Sequence, residues 1–305
     1  MTGPGHEPFA VVLLDVNGTL VPSVPGGPPD ALALQRFRRL VRHLTSAGVA
    51  VGLCSDSPLR QLREFGTRIG LGTAPGFPVI AENGNVVAVD GTVRVTTPFP
   101  ALRSLRAEVA AAAAAHGLSR VGDAVAPEFG GRPPTGRTWA FGANRLASAS
   151  VFGPPDFIHD VRHRLTGWSA GGRVGNRIGS PAGSRVGGRA GERAGERADI
   201  SVELGPDGSY AGIHPYPRTE LGKRTALAGL AARDPRSTLL VGNSPADWVP
   251  GVPGVRCAFV ADPAVPRHLR DAAWYVSPAA VLEGVVDILG HVLRRQPPAP
   301  GPARF

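Results

Sequence analysis

The chain has 305 residues, 42% hydrophobic and 6% aromatic, enough to bury one large core or two modest ones. Its formal net charge is +9, but the six arginines and two glutamates of residues 169–198 supply four of those charges, and no helix carries a clean basic face. No apolar run is long enough to span a membrane and no secretory leader precedes the first one, so neither a membrane nor a nucleic acid is an expected partner and a cytoplasmic protein is expected.

Phe9–Leu14 (FAVVLL) reads as a short, fully buried strand, with Asp15 at its carboxyl end and an Asn17-Gly18 turn signal behind it. Asp30 can cap a helix whose apolar face is Leu34, Phe37, Leu40, Val41 and Leu44, ended by Gly48. Val49–Leu53 is a second buried strand. Ser57-Pro58 opens a helix carrying Leu62, Phe65 and Ile69, and Pro78–Ala81 is a third strand. From about Asn85 to Leu204 the character changes, and short polar strands alternate with two helices, Pro100–His116 and Pro155–Leu165. Residues 169–198, with the repeat GRAGERAGERA, lack apolar periodicity and read as a disordered loop insertion. Helix and buried strand then resume. Thr219–Ala232 is helical, Thr238–Val241 and Arg256–Val260 are strands, and Ser277-Pro278 precede a last helix with Val281, Leu282, Val285, Val286 and Leu289 inward. Residues 294–305 read as a Pro-rich tail. The pattern predicts an α/β core with a parallel sheet, built from residues 1–84 and 205–293 and split by an α+β insert at 85–204.

In open α/β sheets ligands bind beyond the carboxyl ends of the strands. Asp15, Ser55 and Asp247 fall just after strands, and Lys223, the only lysine among 33 basic residues, lies on the late helix. A carboxylate nucleophile, a hydroxyl, an ammonium and a second carboxylate suit phosphoryl transfer with Mg²⁺. A phosphate dianion beside a carboxylate is repelled unless cations intervene, and a metal and a lysine supply them. Cys54 and Cys257 lie in apolar runs and read as buried free thiols of a reducing compartment. His214 reads as a structural or exposed histidine rather than a cleft group.

The order Asp15-x-x-Gly18-Thr19-Leu20, Ser55, Gly222-Lys223 and Gly242-x-Ser244-x-x-Asp247 resembles the four motifs of haloacid-dehalogenase (HAD) phosphatases. Glu82-Asn83-Gly84, just before the insert, resembles the Cof-type branch, which carries an α+β cap at that point and includes many sugar-phosphate phosphatases. The resemblance implies a HAD-like Rossmannoid parallel-sheet core with an inserted α+β cap. It implies that Asp15 attacks phosphorus and that Lys223 neutralises charge. Ser55 and backbone N–H groups near Gly18 would bind phosphate, and Mg²⁺ would be held by Asp15, the Asn17 carbonyl, Asp247 and Asn243. The expected activity is Mg²⁺-dependent hydrolysis of a small, sugar-like phosphate through an aspartyl-phosphate.

Two departures weigh against fast turnover. The family has a second Asp where this chain has Asn17, and a carboxamide neither protonates the leaving oxygen nor activates water. Loss of general acid–base help costs about 10²–10⁴-fold. The family also has Asp where this chain has Asn243, which removes a negative charge and weakens Mg²⁺ binding. The alternative is therefore a pseudophosphatase that binds a phosphorylated ligand or a protein. Asp56, beside Ser55, is a conceivable substitute base. A further alternative is polyanion binding through the Arg-rich segment.

Overall fold

The computed structural model describes residues 8–22, 30–72, 76–96, 99–166, 199–205, 207–216, 222–234 and 236–296. Two sheets organise them. The larger runs β13-β12-β11-β1-β2-β3-β4-β5, in which β1 is Phe9–Leu14, β2 Ala50–Cys54, β3 Val79–Ala81, β4 Val86–Val89 and β5 Thr92–Val95. Its other half is β11 (Ser237–Gly242), β12 (Val255–Phe259) and β13 (Tyr275–Val276). From β13 to β3 all neighbours are parallel, while β3–β4 and β4–β5 are antiparallel. The smaller sheet runs β6-β7-β8-β10-β9, from Ser119–Arg120, Thr138–Phe141, Ala149–Phe152, Tyr210–Tyr216 and Asp199–Leu204 respectively.

The central strand is apolar at every position because helices cover both faces of the sheet. Val12 and Leu14 pack with α1 (Ala31–Ser46), α2 (Leu59–Ile69) and α7 (Val281–Arg295). Leu13 points the other way, to Ala226, Leu227 and Leu230 of α5 (Lys223–Ala231). The expected capping of α1 is present, with Asp30 Oδ1 accepting from the Ala33 N–H at 2.8 Å. On the smaller sheet, Trp139, Phe141, Val151 and Ile213 close a second core with α3 (Phe99–Ala115) and α4 (Pro155–Leu165).

The α/β class and the cap-like second layer match the expectation, but the boundaries shift. The larger sheet extends to Val95 and the smaller one claims Tyr210–Tyr216, so the chain changes sheets later than 84/85 and 204/205. The hairpin β4–β5 passed as insert because its outer strand is fully exposed and carries no buried period. The last helix continues to Arg295, inside the expected tail; Arg294 and Arg295 suit the negative end of a helix. The short helix α6 (Arg267–Ala272) and β13 had no strong sequence signal. Residues 169–198, 219–221 and 297–305, for which a loop, a helix start and a tail were expected, lie outside the described residues. Among the described residues no helix is long and apolar enough to cross a membrane.

Candidate active site

Parallel register brings the strand ends level. Leu14 pairs with Val241 on one side and Leu53 on the other, and the Asp15 N–H donates to the Val241 carbonyl at 2.9 Å. Beyond β1 the chain folds into a tight turn. The Val16 carbonyl accepts from Leu20 and Val21, and Gly18 donates to Val21 at 2.7 Å. Gly18 adopts φ +76°, a conformation costly for other residues, which explains the glycine there.

Lys223 opens α5 and lies between two carboxylates, its Nζ 2.8 Å from Asp247 Oδ1 and 3.5 Å from Asp15 Oδ1. Its start is held by Gly84, where a Cβ would sit 2.4 Å from the Gly222 carbonyl oxygen and 2.8 Å from the Lys223 nitrogen. Burial opposes the lysine's charge, but Asp247 and Asp15 outweigh it and hold the ammonium well above its ordinary pKa. Burial pushes the Asp15 carboxyl up to about 7, against the pull of Lys223.

Asp247 is engaged on both oxygens. Oδ1 takes the lysine, and Oδ2 accepts from the Asn243 and Ser244 N–H groups at 3.2 Å and from the Ser244 hydroxyl at 3.1 Å. Asn243 accepts from the Thr19 hydroxyl at 3.2 Å and donates to Asp262 Oδ2 at 2.9 Å. Among the described residues no three His, Cys, Asp or Glu side chains gather as a metal site. The Asp15 carboxylate, the Asn17 carbonyl and the Asn243 amide oxygen are the donor type a hard cation takes, with one carboxylate only. Asp247 faces the lysine and its own loop. Ser55 is buried, with its Oγ 3.5 Å from both the Ser57 N–H and the Ser57 hydroxyl.

Asp56 is no free base. Arg145 donates to Oδ1 and Oδ2 at 3.1 Å, Tyr210 donates to Oδ2 at 2.8 Å, and His214 Nε2 lies 2.7 Å from Oδ1. Burial alone would raise its pKa, yet Arg145 and His214 hold it well below the carboxylate range. All three partners come from the smaller layer, so the Ser55-Asp56 loop is a joint between layers. Glu82 is a second joint, accepting from the Leu146 and Ala147 N–H groups and the Ser148 hydroxyl at 2.6–2.9 Å. His214, read as structural or exposed, is fully buried against Asp56. Cys54 and Cys257 are buried free thiols, and burial pushes them up to about 12 and about 11.

A cavity of about 1050 Å³ opens between the layers. Asn17, Phe65, Arg68, Glu128, Arg145 and Tyr210 are among its walls. At its edge Asn17 Nδ2 donates to Glu128 Oε1 at 3.1 Å, across 111 positions of sequence. Sequence reasoning singled out none of Glu128, Arg145 and Tyr210, since each acts through a distant partner and carries no local motif.

No protein-family model and no curated protein matches the chain. Solved structures do. A haloacid dehalogenase-like hydrolase from Bacteroides thetaiotaomicron superimposes with a TM-score of 0.60 at 13% identity, covering 93% of this chain and 99% of that one. A phosphatase of the same superfamily from the same organism gives 0.56 at 14% identity, covering 96% and 98%. The sucrose-phosphatase of Synechocystis sp. PCC6803, solved with sucrose and phosphate, gives 0.50 at 12% identity over 93% and 98%. At these identities the likeness is one of architecture, and the chain has the fold of the haloacid dehalogenase-like hydrolases.

Proposed function

We propose that this chain is a HAD-type phosphomonoester hydrolase, with the larger sheet as its core and the smaller layer as its cap. The observation that carries the reading is Lys223 bridging Asp15 and Asp247, with Asn17, two residues beyond Asp15, in the wall of the interlayer cavity. Asp15 is the nucleophile. Lys223 holds positive charge between it and the incoming phosphate, and Asp247 fixes the lysine's direction. Ser55 receives a phosphate oxygen, whereas the N–H groups of Gly18, Thr19, Leu20 and Val21, expected to share that role, bond within their own turn. Asp15, Asn17 and Asn243 would hold Mg²⁺, which supplies further positive charge to the phosphate and to the buried carboxylate. The cap, tied down through Asp56 and Glu82, excludes water from the intermediate.

The substrate class that family resemblance and the sucrose-phosphatase neighbour favour is a sugar-like phosphate. The cavity is large for a small sugar, so the leaving group has room for a disaccharide or an apolar substituent. Phosphate release from hexose, disaccharide, nucleotide and aryl monophosphates, compared between the full chain and Asp15→Asn, tests the reading. Release that vanishes in the variant supports it; equal release sinks it. Asn17 and Asn243 favour a second reading, a binding protein for a phosphorylated ligand. In that case Asp15→Asn binds phosphate esters as well as or better than the parent, and neither turns them over.

A further inference from the structure

Position 17 holds an amide where phosphoryl hydrolysis needs a titratable group to protonate the leaving oxygen and then activate water. Among the described residues three carboxylates line the cavity: Asp56, Glu128 and Asp207. Asp56 is paired with Arg145 and held by the His214 ring. Asp207 accepts from the Ser209 N–H at 3.0 Å and from its hydroxyl at 2.8 Å. Glu128 instead reaches residue 17, through Oε1, from a different layer.

The segment carrying Glu128 is built to hold it there. Ala124 donates to Phe141 and accepts from Ala143, which ties the segment to β7. The Pro127–Phe129 turn closes through hydrogen bonds from Phe129 and Gly131 to the Ala126 carbonyl. A Cβ at Gly131 would overlap the Val125 carbonyl, so the turn closes this tightly only with glycine there. Phe129 then crosses to the core and meets Phe65 of α2 edge-on, with ring centroids 5.8 Å apart. Glu128 is thus flanked by a cap anchor on one side and a core anchor on the other.

We infer that Glu128 is the general acid–base of this site, delivered by the cap to the place where residue 17 lacks a carboxyl; the inference rests on the phosphatase reading above. The hydrogen bond from Asn17 occupies Oε1 and leaves Oε2 to serve the ester oxygen. In the first step Asp15 attacks phosphorus and the phosphorus–ester oxygen bond breaks. Its electron pair goes to the ester oxygen, which takes the Glu128 proton and leaves as the alcohol. In the second step the Glu128 carboxylate takes a proton from water as that oxygen attacks phosphorus. The bond to Asp15 breaks, its pair returns to the Asp15 carboxylate, and phosphate departs with Glu128 protonated again. Residue 17 becomes a positioning residue, its amide directing the Glu128 carboxyl.

The test uses the full chain with Mg²⁺ and phosphate esters of graded leaving-group acidity: p-nitrophenyl, phenyl and glycerol phosphate. Glu128→Gln keeps an acceptor oxygen for Asn17 and so preserves the docking contact. It is expected to lower glycerol phosphate turnover by about 10²–10⁴-fold. With p-nitrophenyl phosphate, which needs no acid, it should give a burst of nitrophenolate and an accumulated aspartyl-phosphate. Asn17→Asp in the Glu128→Gln background should restore turnover. A Glu128→Gln enzyme that matches the parent on all three esters, or loses all three equally with no phosphoenzyme, overturns the inference alone. A parent that forms no aspartyl-phosphate and releases nothing beyond Asp15→Asn overturns the phosphatase reading and this inference with it.

Discussion

Asp15 illustrates a conflict between stability and chemistry at a single side chain. Burial raises its carboxyl from 3.8 to about 7. The folded state therefore binds that proton more tightly than the unfolded chain. Its contribution to stability is complete below pH 3.8 and is lost as pH rises through about 7. Asp15→Asn is expected to remove this loss: the variant should be inactive, yet more stable than the parent at pH 8.5, by up to about 4 kcal/mol, with little difference at acidic pH. Urea unfolding at both pH values measures it. Lys223 should behave in the opposite way. Lys223→Met leaves two buried carboxylates facing each other, so it destabilises most at high pH, by about 3–5 kcal/mol, and abolishes turnover.

The elements that matter most are the joints between the layers. Asp56 lies on a core loop, but its partners Arg145, Tyr210 and His214 belong to the cap sheet or the loop beside it. Asp56→Asn strands the Arg145 guanidinium, whose side chain is 3% exposed, and should cost about 3–5 kcal/mol in urea denaturation. A variant that loses turnover at unchanged stability would instead restore Asp56 as a base. Gly84→Ala should also act at a distance. At φ +94°, with a Cβ pressed on the Gly222–Lys223 peptide, it must displace the start of α5. The expected result is a loss of about 1–3 kcal/mol together with a lowered kcat, since the lysine moves with its helix. These joints also mark what was legible. FAVVLL followed by Asp15 announces a buried strand with a polar group at its end, because the strand is covered on both faces. Lys223 stood out as the only lysine, and Asp30 as a cap, through local signals. Glu128, Arg145 and Tyr210 had none. The meaning of each depends on a residue brought near by tertiary folding, and one sequence does not reveal that pairing. β4–β5 was assigned to the wrong layer for a related reason, since the exposed edge strand β5 has no core period to betray its sheet.

At the scale of the molecule, two layers meet over a cavity, and the proposed chemistry draws on both. The larger sheet brings Asp15, Lys223 and Asp247 together, while the smaller layer brings Glu128 and the residues that hold Asp56. Residues 169–198 fall between α4 and β9, within the cap sequence, and carry six arginines. Their deletion is expected to weaken salt-sensitive retention on a polyanion such as heparin and to leave phosphate release unchanged. A fall in turnover on deletion would give the segment a part in the site. The central claim is that Asp15 forms an aspartyl-phosphate in a working hydrolase. The most direct measurement is phosphate release from the sugar, nucleotide and aryl ester panel, with and without Mg²⁺, against Asp15→Asn as the blank. The account predicts release that needs both Mg²⁺ and Asp15. No release above the blank for any ester would contradict it and leave a phosphate-binding protein in its place.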